Sequence, residues 1–105
     1  MKKRARSPDK LETYSQRAFF DRPNRPPLVH ESWTKNAKGE IVEYSLAYID
    51  FSIYAGDNGR VLGYDNAHGY HERHFMGNAE QIAFTTYAEQ FERFISEVRQ
   101  LRRKS

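Results

Sequence analysis

The run IVEYSLAYIDFSIY, residues 41–54, constrains the fold more than any other part of the chain. It is rich in β-branched and aromatic side chains, which suit a pleated, half-buried surface. At about 3.3 Å per residue, one straight strand of this length would overrun a domain of 105 residues. The side-chain pattern indicates where it bends. Val42, Tyr44, Leu46 and Tyr48 share one face by alternation, whereas Ile49, Phe51 and Ile53 share the other. One extra residue inverts the alternation, so a β-bulge is expected near Tyr48–Asp50.

A strand with an apolar face needs a layer to cover it. The segment TTYAEQFERFISEVRQLRRK at the C-terminal end supplies one. Thr86 and Glu89 have the spacing of a capping box. Tyr87, Phe91, Phe94, Ile95, Val98 and Leu101 then recur at helical spacing on one side. Four basic residues end the helix, where its dipole favours them. Such an aromatic stripe is core, because a half-buried helix requires one.

Between these segments, AGDNGR carries Asn58-Gly59, a strong hairpin signal because both residues tolerate positive φ. RVLGYD reads as the returning strand, and RHFMG and QIAFT as one or two more. Upstream, LVHESWT is a weakly alternating strand followed by the turn KNAKGE. All four prolines lie before residue 28. In that lead-in Ser7 and Pro8 read as a helix N-cap and first turn, with Leu11, Tyr14 and Ala18 at helical spacing, which predicts a short helix over 8–18. DRPNRPPL must then be extended. The expected fold is α+β: an antiparallel meander of about 4–5 strands, one face covered by the C-terminal amphipathic helix. A basic, Pro-rich lead-in (1–27) precedes a single domain (28–105).

No apolar run approaches the roughly 20 residues of a membrane span. The basic N-terminus lacks the apolar stretch of a secretory signal. The absence of cysteine excludes disulfides and thiolate zinc sites. A cytoplasmic protein without a cofactor is expected. The net charge of +3 is unevenly laid out: residues 1–10 and 99–105 each carry +4, and the body between them −5. Basic ends such as Lys2, Lys3, Arg4, Arg102 and Arg103 can hold a phosphate backbone by counterion release, or simply keep a chain soluble.

Three of the four histidines fall within GYDNAHGYHERH, residues 63–74. Internal cleavage of RNA needs a base for the 2′-hydroxyl, an acid for the leaving oxygen and a cation on the phosphate. Histidine suits the first two roles and arginine the third. HERH offers His71, Arg73 and His74 together. In a strand, however, Glu72 and His74 would point to one face and Arg73 to the other. Tyr64 and Asp65, at the end of the preceding strand, could meet them across the loop. His68, His71 and His74, with Asp65 or Glu72, also have the donor types of a transition-metal site, although spacing on a loop fixes no ligand geometry. The bland alternative is a strand end followed by an Asx-type turn, with Asp65 and Asn66 bonding nearby backbone.

RVLGYDNAHGYHERHFMG, followed by AFTTYAEQFERFISEV, resembles the TumE-type toxins of bacterial toxin–antitoxin pairs. The likeness covers about residues 40–100 and rests on Arg60, Val61, Gly63, Tyr64, Asp65, Asn66, Gly69, Arg73, His74 and Phe75. It implies a small toxin neutralised by a helix-turn-helix antitoxin, with RNA as the target, and places Tyr64, Asp65, Asn66, Arg73 and His74 among the site candidates. Glu72 stands where the family's loop often has a first histidine, which leaves His71 to take that role. The resulting expectation is a metal-independent endoribonuclease: His74 and His71 exchange protons, Arg73 holds the phosphate, Tyr64 and Asp65 position the reacting groups, and Asn66 and the basic termini grip RNA. It has no membrane partner and is compatible with a homodimer. The alternative is a non-catalytic module that binds nucleic acid or a protein.

Overall fold

The computed structural model describes residues 11–104. Lys2, Lys3, Arg4 and the Ser7-Pro8 cap lie outside the described residues. Six strands form one antiparallel meander in sequence order: β1 (Glu12–Phe19), β2 (Leu28–Lys35), β3 (Ile41–Ile49), β4 (Arg60–Asp65), β5 (Glu72–Phe75) and β6 (Asn78–Gln81). One helix, α1 (Tyr87–Lys104), follows. The fold is α+β as expected, with six strands instead of four or five and no N-terminal helix among the described residues.

The predicted helix over 8–18 is corrected by β1. Tyr14, Gln16 and Ala18 pair with Trp33, Glu31 and Val29 of β2, and the Tyr14 ring stacks on Trp33 at 5.0 Å. Three residues at helical spacing are a weak local preference, which a full ladder of inter-strand hydrogen bonds and a ring stack overrides. The proline stretch leaves the sheet and returns, closed by Phe20 N–H donating to the Pro27 carbonyl at 3.1 Å.

An irregularity does lie near Tyr48–Asp50, but its extra residue is Val61 of β4. Strand β3 therefore keeps its alternation to its end at Ile49, and the expected face swap within it does not occur. The register against β4 shifts between Tyr48 and Ile49. Tyr44, Leu46 and Tyr48 are buried on the inner face. Val42 is not: it falls beside a second irregularity, opposite Thr34 and Lys35, and is 47% exposed. Beyond Ile49 the chain turns away. Asp50 Oδ1 accepts from Ser52 N–H (3.0 Å) and Ser52 Oγ (2.6 Å), and its carbonyl accepts from Ile53 and Tyr54 N–H. DFSIY is therefore a turn, and Asn58-Gly59 sits in a 3₁₀ turn (Asp57–Gly59) that ends this longer connection. A two-residue hairpin loop does occur at Met76-Gly77, where φ is +46° and +86°, so NAEQ, not QIAFT, forms β6.

Helix α1 crosses the inner face over β3 and β4. Phe94 and Val98 are buried against Leu46, Leu62 and Tyr64, with Tyr87, Phe91, Ile95 and Leu101 packed at the margin. The Phe94 ring meets Tyr64 edge-on at 5.6 Å; emptying this site by Phe94→Ala would cost about 3–5 kcal/mol. Thr86 Oγ1 caps the helix by accepting from Glu89 N–H at 3.1 Å, while the Glu89 carboxylate takes the hydroxyl of Thr85. Among the described residues, the opposite face of β4 and β5 carries no helix.

Candidate active site

The β4–β5 hairpin sorts the sequence candidates onto two faces. Tyr64 pairs with Arg73, while Gly63 pairs with His74 and Asp65 with Glu72. Because successive side chains alternate, Tyr64 and Arg73 face the helix, and Asp65, Glu72 and His74 face the open side.

On the helix side Arg73 is fully engaged. Its Nε donates to Glu97 Oε1 at 3.0 Å, its Nη2 to the other oxygen of the same carboxylate, and its Nη1 to Glu80 at 3.2 Å. Tyr64 donates its hydroxyl to Glu97 as well. Burial alone would raise the Glu97 carboxyl, but the hydrogen bonds from Arg73 and Tyr64 outweigh it, and its pKa is held below the ordinary value. Burial first, and then the Glu97 contact, pushes the Tyr64 hydroxyl well above its usual range. A guanidinium committed to a bidentate carboxylate has little left for a substrate phosphate.

His71 also lies on the helix side. Its Nδ1 is 2.9 Å from Tyr44 Oη, its ring stacks on Phe84 at 3.9 Å, and burial lowers its pKa. The sheet does not bring His71 and His74 together. Asn66 bonds the backbone of β3, accepting from Tyr44 N–H and donating to the Val42 carbonyl, both at 3.0 Å. It extends the β3–β4 ladder one step past the end of β4. Arg102 lies over the Phe20 ring at 3.8 Å and points a nitrogen to Asp21 at 3.5 Å. Arg103 stands near it, beside a groove of about 440 Å³ that also meets Phe20, Ile95 and Arg99.

The open face holds the concentrated chemistry. Asp65 is only 8% exposed. Its Oδ1 accepts from Ala67 N–H at 3.1 Å, the expected Asx-type turn. That leaves Oδ2, which lies 3.1 Å from His74 Nε2. Glu72 Oε1 approaches the same nitrogen at 3.5 Å and His68 Nδ1 at 3.1 Å. Despite these distances, His74 Nε2 is buried and has no hydrogen-bond partner: the nitrogen is close to two carboxylates but aligned as donor to neither. Arg60 completes the group. Its Nε is tied to Asp57 at 2.8 Å, and its Nη1 is 3.8 Å from Asp65 Oδ2. The Arg60 side chain passes over Gly63, where a Cβ would stand 2.8 Å from Arg60 Cδ.

Arg60, as a cation on the His74 face, was absent from the residues expected to react. The reason is geometric: the irregularity at Tyr48–Ile49 pairs Ile49 with Arg60 and so rotates Arg60 onto the open side. Glu72 had a signal, since its shared parity with His74 follows from simple alternation. Glu97 had none, because helix-to-sheet contacts are not local.

A family model described as Toxin TumE matches residues 27–102. No curated protein and no solved structure matches the chain. No helix among the described residues is long and apolar enough to cross a membrane. The match spans β2 through most of α1, including every residue of both hairpin faces, and the chain belongs to the toxin TumE family.

Proposed function

We propose that this chain, the toxin component of a toxin–antitoxin system by its family, acts by breaking RNA phosphodiesters on the open face of the β4–β5 hairpin. The observation that carries the reading is His74 Nε2: buried, without a hydrogen-bond partner, and set between Asp65 and Glu72. Unsatisfied buried polar atoms are rare and cost about 1–3 kcal/mol, and they concentrate where function requires them. The imidazole–carboxylate cluster takes the proton of the attacking 2′-hydroxyl. As the 2′-oxygen bonds to phosphorus the P–O5′ bond breaks, and that proton is passed on to the leaving 5′-oxygen. Arg60, not Arg73, is the guanidinium on that face and offsets charge growing on the phosphate. Arg73, Tyr64 and Asn66 build the frame. The antitoxin remains the expected protein partner, with a helix-turn-helix type implied by the family likeness.

The test is cleavage of an end-labelled RNA by purified chain, with His74→Ala and Arg60→Ala prepared alongside and their folding checked by circular dichroism. Cleavage by the parent that falls at least about a hundredfold in folded His74→Ala supports the reading. Equal rates would remove His74 from the chemistry. The second reading, a non-catalytic binding module, draws on the groove of Phe20, Ile95, Arg99 and Arg103. It requires no cleavage by any form, with partner binding lost when Arg99 and Arg103 are neutralised.

A further inference from the structure

We infer that Asp65, Glu72 and His74 form a binding site for one divalent transition-metal ion. The inference deepens the reading of the open face as a reaction centre and rests on it for its purpose. With the ion in place His74 Nε2 is a ligand, and hydroxide on the ion would replace it as the base. Its test does not require RNA cleavage.

The three residues offer one imidazole nitrogen and two carboxylate oxygens, and these donor atoms all lie within 4.8 Å of one another. Bonds from a metal ion to nitrogen and oxygen are each about 2.1 Å. At that length, the 3.1 Å between His74 Nε2 and Asp65 Oδ2 subtends roughly 95° at the ion. The 3.5 Å to Glu72 Oε1 subtends roughly 113°. The first is close to the octahedral value and the second slightly above the tetrahedral one.

The hydrogen-bond account points the same way. A protonated Nε2 at 3.1 Å from a carboxylate ordinarily aligns its N–H with the oxygen, and this one does not. A lone pair directed between two carboxylate oxygens would repel them, unless a cation lies at the convergence. One donor is also held from behind. Asp65 Oδ1 is fixed by Ala67 N–H, and such outer contacts orient ligands in metal sites. His68 Nδ1, by contrast, contacts Glu72 at Oε1, the ligand oxygen itself, at 3.1 Å. All three ligands come from paired positions of one hairpin, so the spacing is set by the ladder and not by a loop.

Charge favours a dication. Asp65 and Glu72 bring two negative charges to the cluster. The nearby Arg60 is bound to Asp57 and reaches Asp65 only at 3.8 Å. The face therefore keeps a negative surplus that would repel a phosphate. A divalent ion removes that surplus and polarises a phosphate oxygen as a Lewis acid. The imidazole among the donors selects Mn²⁺, Fe²⁺ or Zn²⁺ over Ca²⁺ or Mg²⁺, which prefer oxygen-only shells. Three protein ligands leave positions open, as catalytic sites do.

The probe is Mn²⁺, added to EDTA-treated and desalted full-length chain and followed by the loss of its free-ion paramagnetic resonance signal. Zn²⁺ is then added in a thermal-denaturation series. The expected result is one Mn²⁺ per chain displaced by Zn²⁺, a Zn²⁺-dependent rise in melting temperature, and affinity at least about tenfold weaker in His74→Ala and in Glu72→Gln. Glu72→Gln preserves size and hydrogen bonding, so it reports on ligation even if His74→Ala unfolds. An undiminished Mn²⁺ signal with wild-type chain, or equal affinity in folded variants, overturns the site. If Mn²⁺ binds yet RNA is never cut, the site stands and the RNA reading falls.

Discussion

Replacing Arg73 by methionine separates a phosphate clamp from a structural strut. The side chain is 22% exposed and its partner Glu97 27%, so the pair lies between the surface and interior regimes. Exposed pairs are worth about 0–1 kcal/mol, while removing one partner of a buried pair costs about 3–5 kcal/mol. With a bidentate contact, a further bond to Glu80 and a shared Tyr64 hydroxyl, about 2 kcal/mol is expected for Arg73→Met. For a domain of this size that lowers the melting temperature by roughly 10 °C. Urea denaturation of Arg73→Met, Glu97→Gln and the double variant should give a cycle in which the double costs less than the sum, with coupling near 1 kcal/mol. Assayed well below its melting temperature, folded Arg73→Met should keep RNA cleavage within about threefold of the parent. A hundredfold loss of cleavage with unchanged stability would refute the assignment and return Arg73 to the phosphate.

Three further outcomes follow from particular contacts. Gly63→Ala places a methyl 2.8 Å from Arg60 Cδ; it should displace the guanidinium and raise the KM for RNA about tenfold while leaving the melting temperature within a few degrees. Thr86→Ala removes the helix cap at Glu89 N–H and should cost about 1 kcal/mol in urea denaturation. Stability should fall on acidification in two windows. Burial, and then the Arg17 charge, lowers the His30 pKa below its ordinary 6.5. The unfolded chain therefore takes up that proton first, and stability is lost as pH drops below 6.5. The depressed Glu97 carboxyl gives a second loss, complete only below its folded pKa and beginning near 4.5. His71, whose pKa burial also lowers, contributes to the same upper window. His30→Gln should therefore shrink the upper step and Glu97→Gln erase the lower, as followed by melting temperature against pH.

The elements that were legible in the sequence are those whose signals are local. The period of the C-terminal stripe and its cap locate α1, and the alternation of Tyr44, Leu46 and Tyr48 gives the buried face of β3. The irregularity beside Tyr48–Ile49 was readable as a place, but its extra residue lies in β4, and the Phe51–Ile53 stretch is a turn instead of a face-swapped strand. What could not be read depends on partners distant in sequence. Strand β1 exists through its ladder with β2, and Leu11, Tyr14 and Ala18 by themselves suit a helix equally well. At the site, parity alone separates His74 and Glu72 from Arg73. It could not show that Arg73 is claimed by Glu97, twenty-four positions onward, nor that Arg60 lies over Gly63.

The two faces of the hairpin are chemically separate but mechanically joined, since Arg73 and His74 are consecutive residues of a four-residue strand. Strand β5 is short, although all its residues pair with β4 and Phe75 packs against the core. Its outer neighbour β6 is also four residues long and fully exposed. Arg73 to Glu97 therefore ties β5 to the helix, and through it fixes the height of His74 over Asp65 on the other side. A strand shift by one residue would exchange the faces and bring Arg73 out among the carboxylates. The ladder sets the register on which the open-face cluster depends, and the ion pair on the inner face reinforces it. In this arrangement, Glu97→Gln should weaken Mn²⁺ binding measurably without touching a ligand, and a ligand-site affinity indifferent to Glu97 would show that the β4–β5 ladder holds the register without the ion pair.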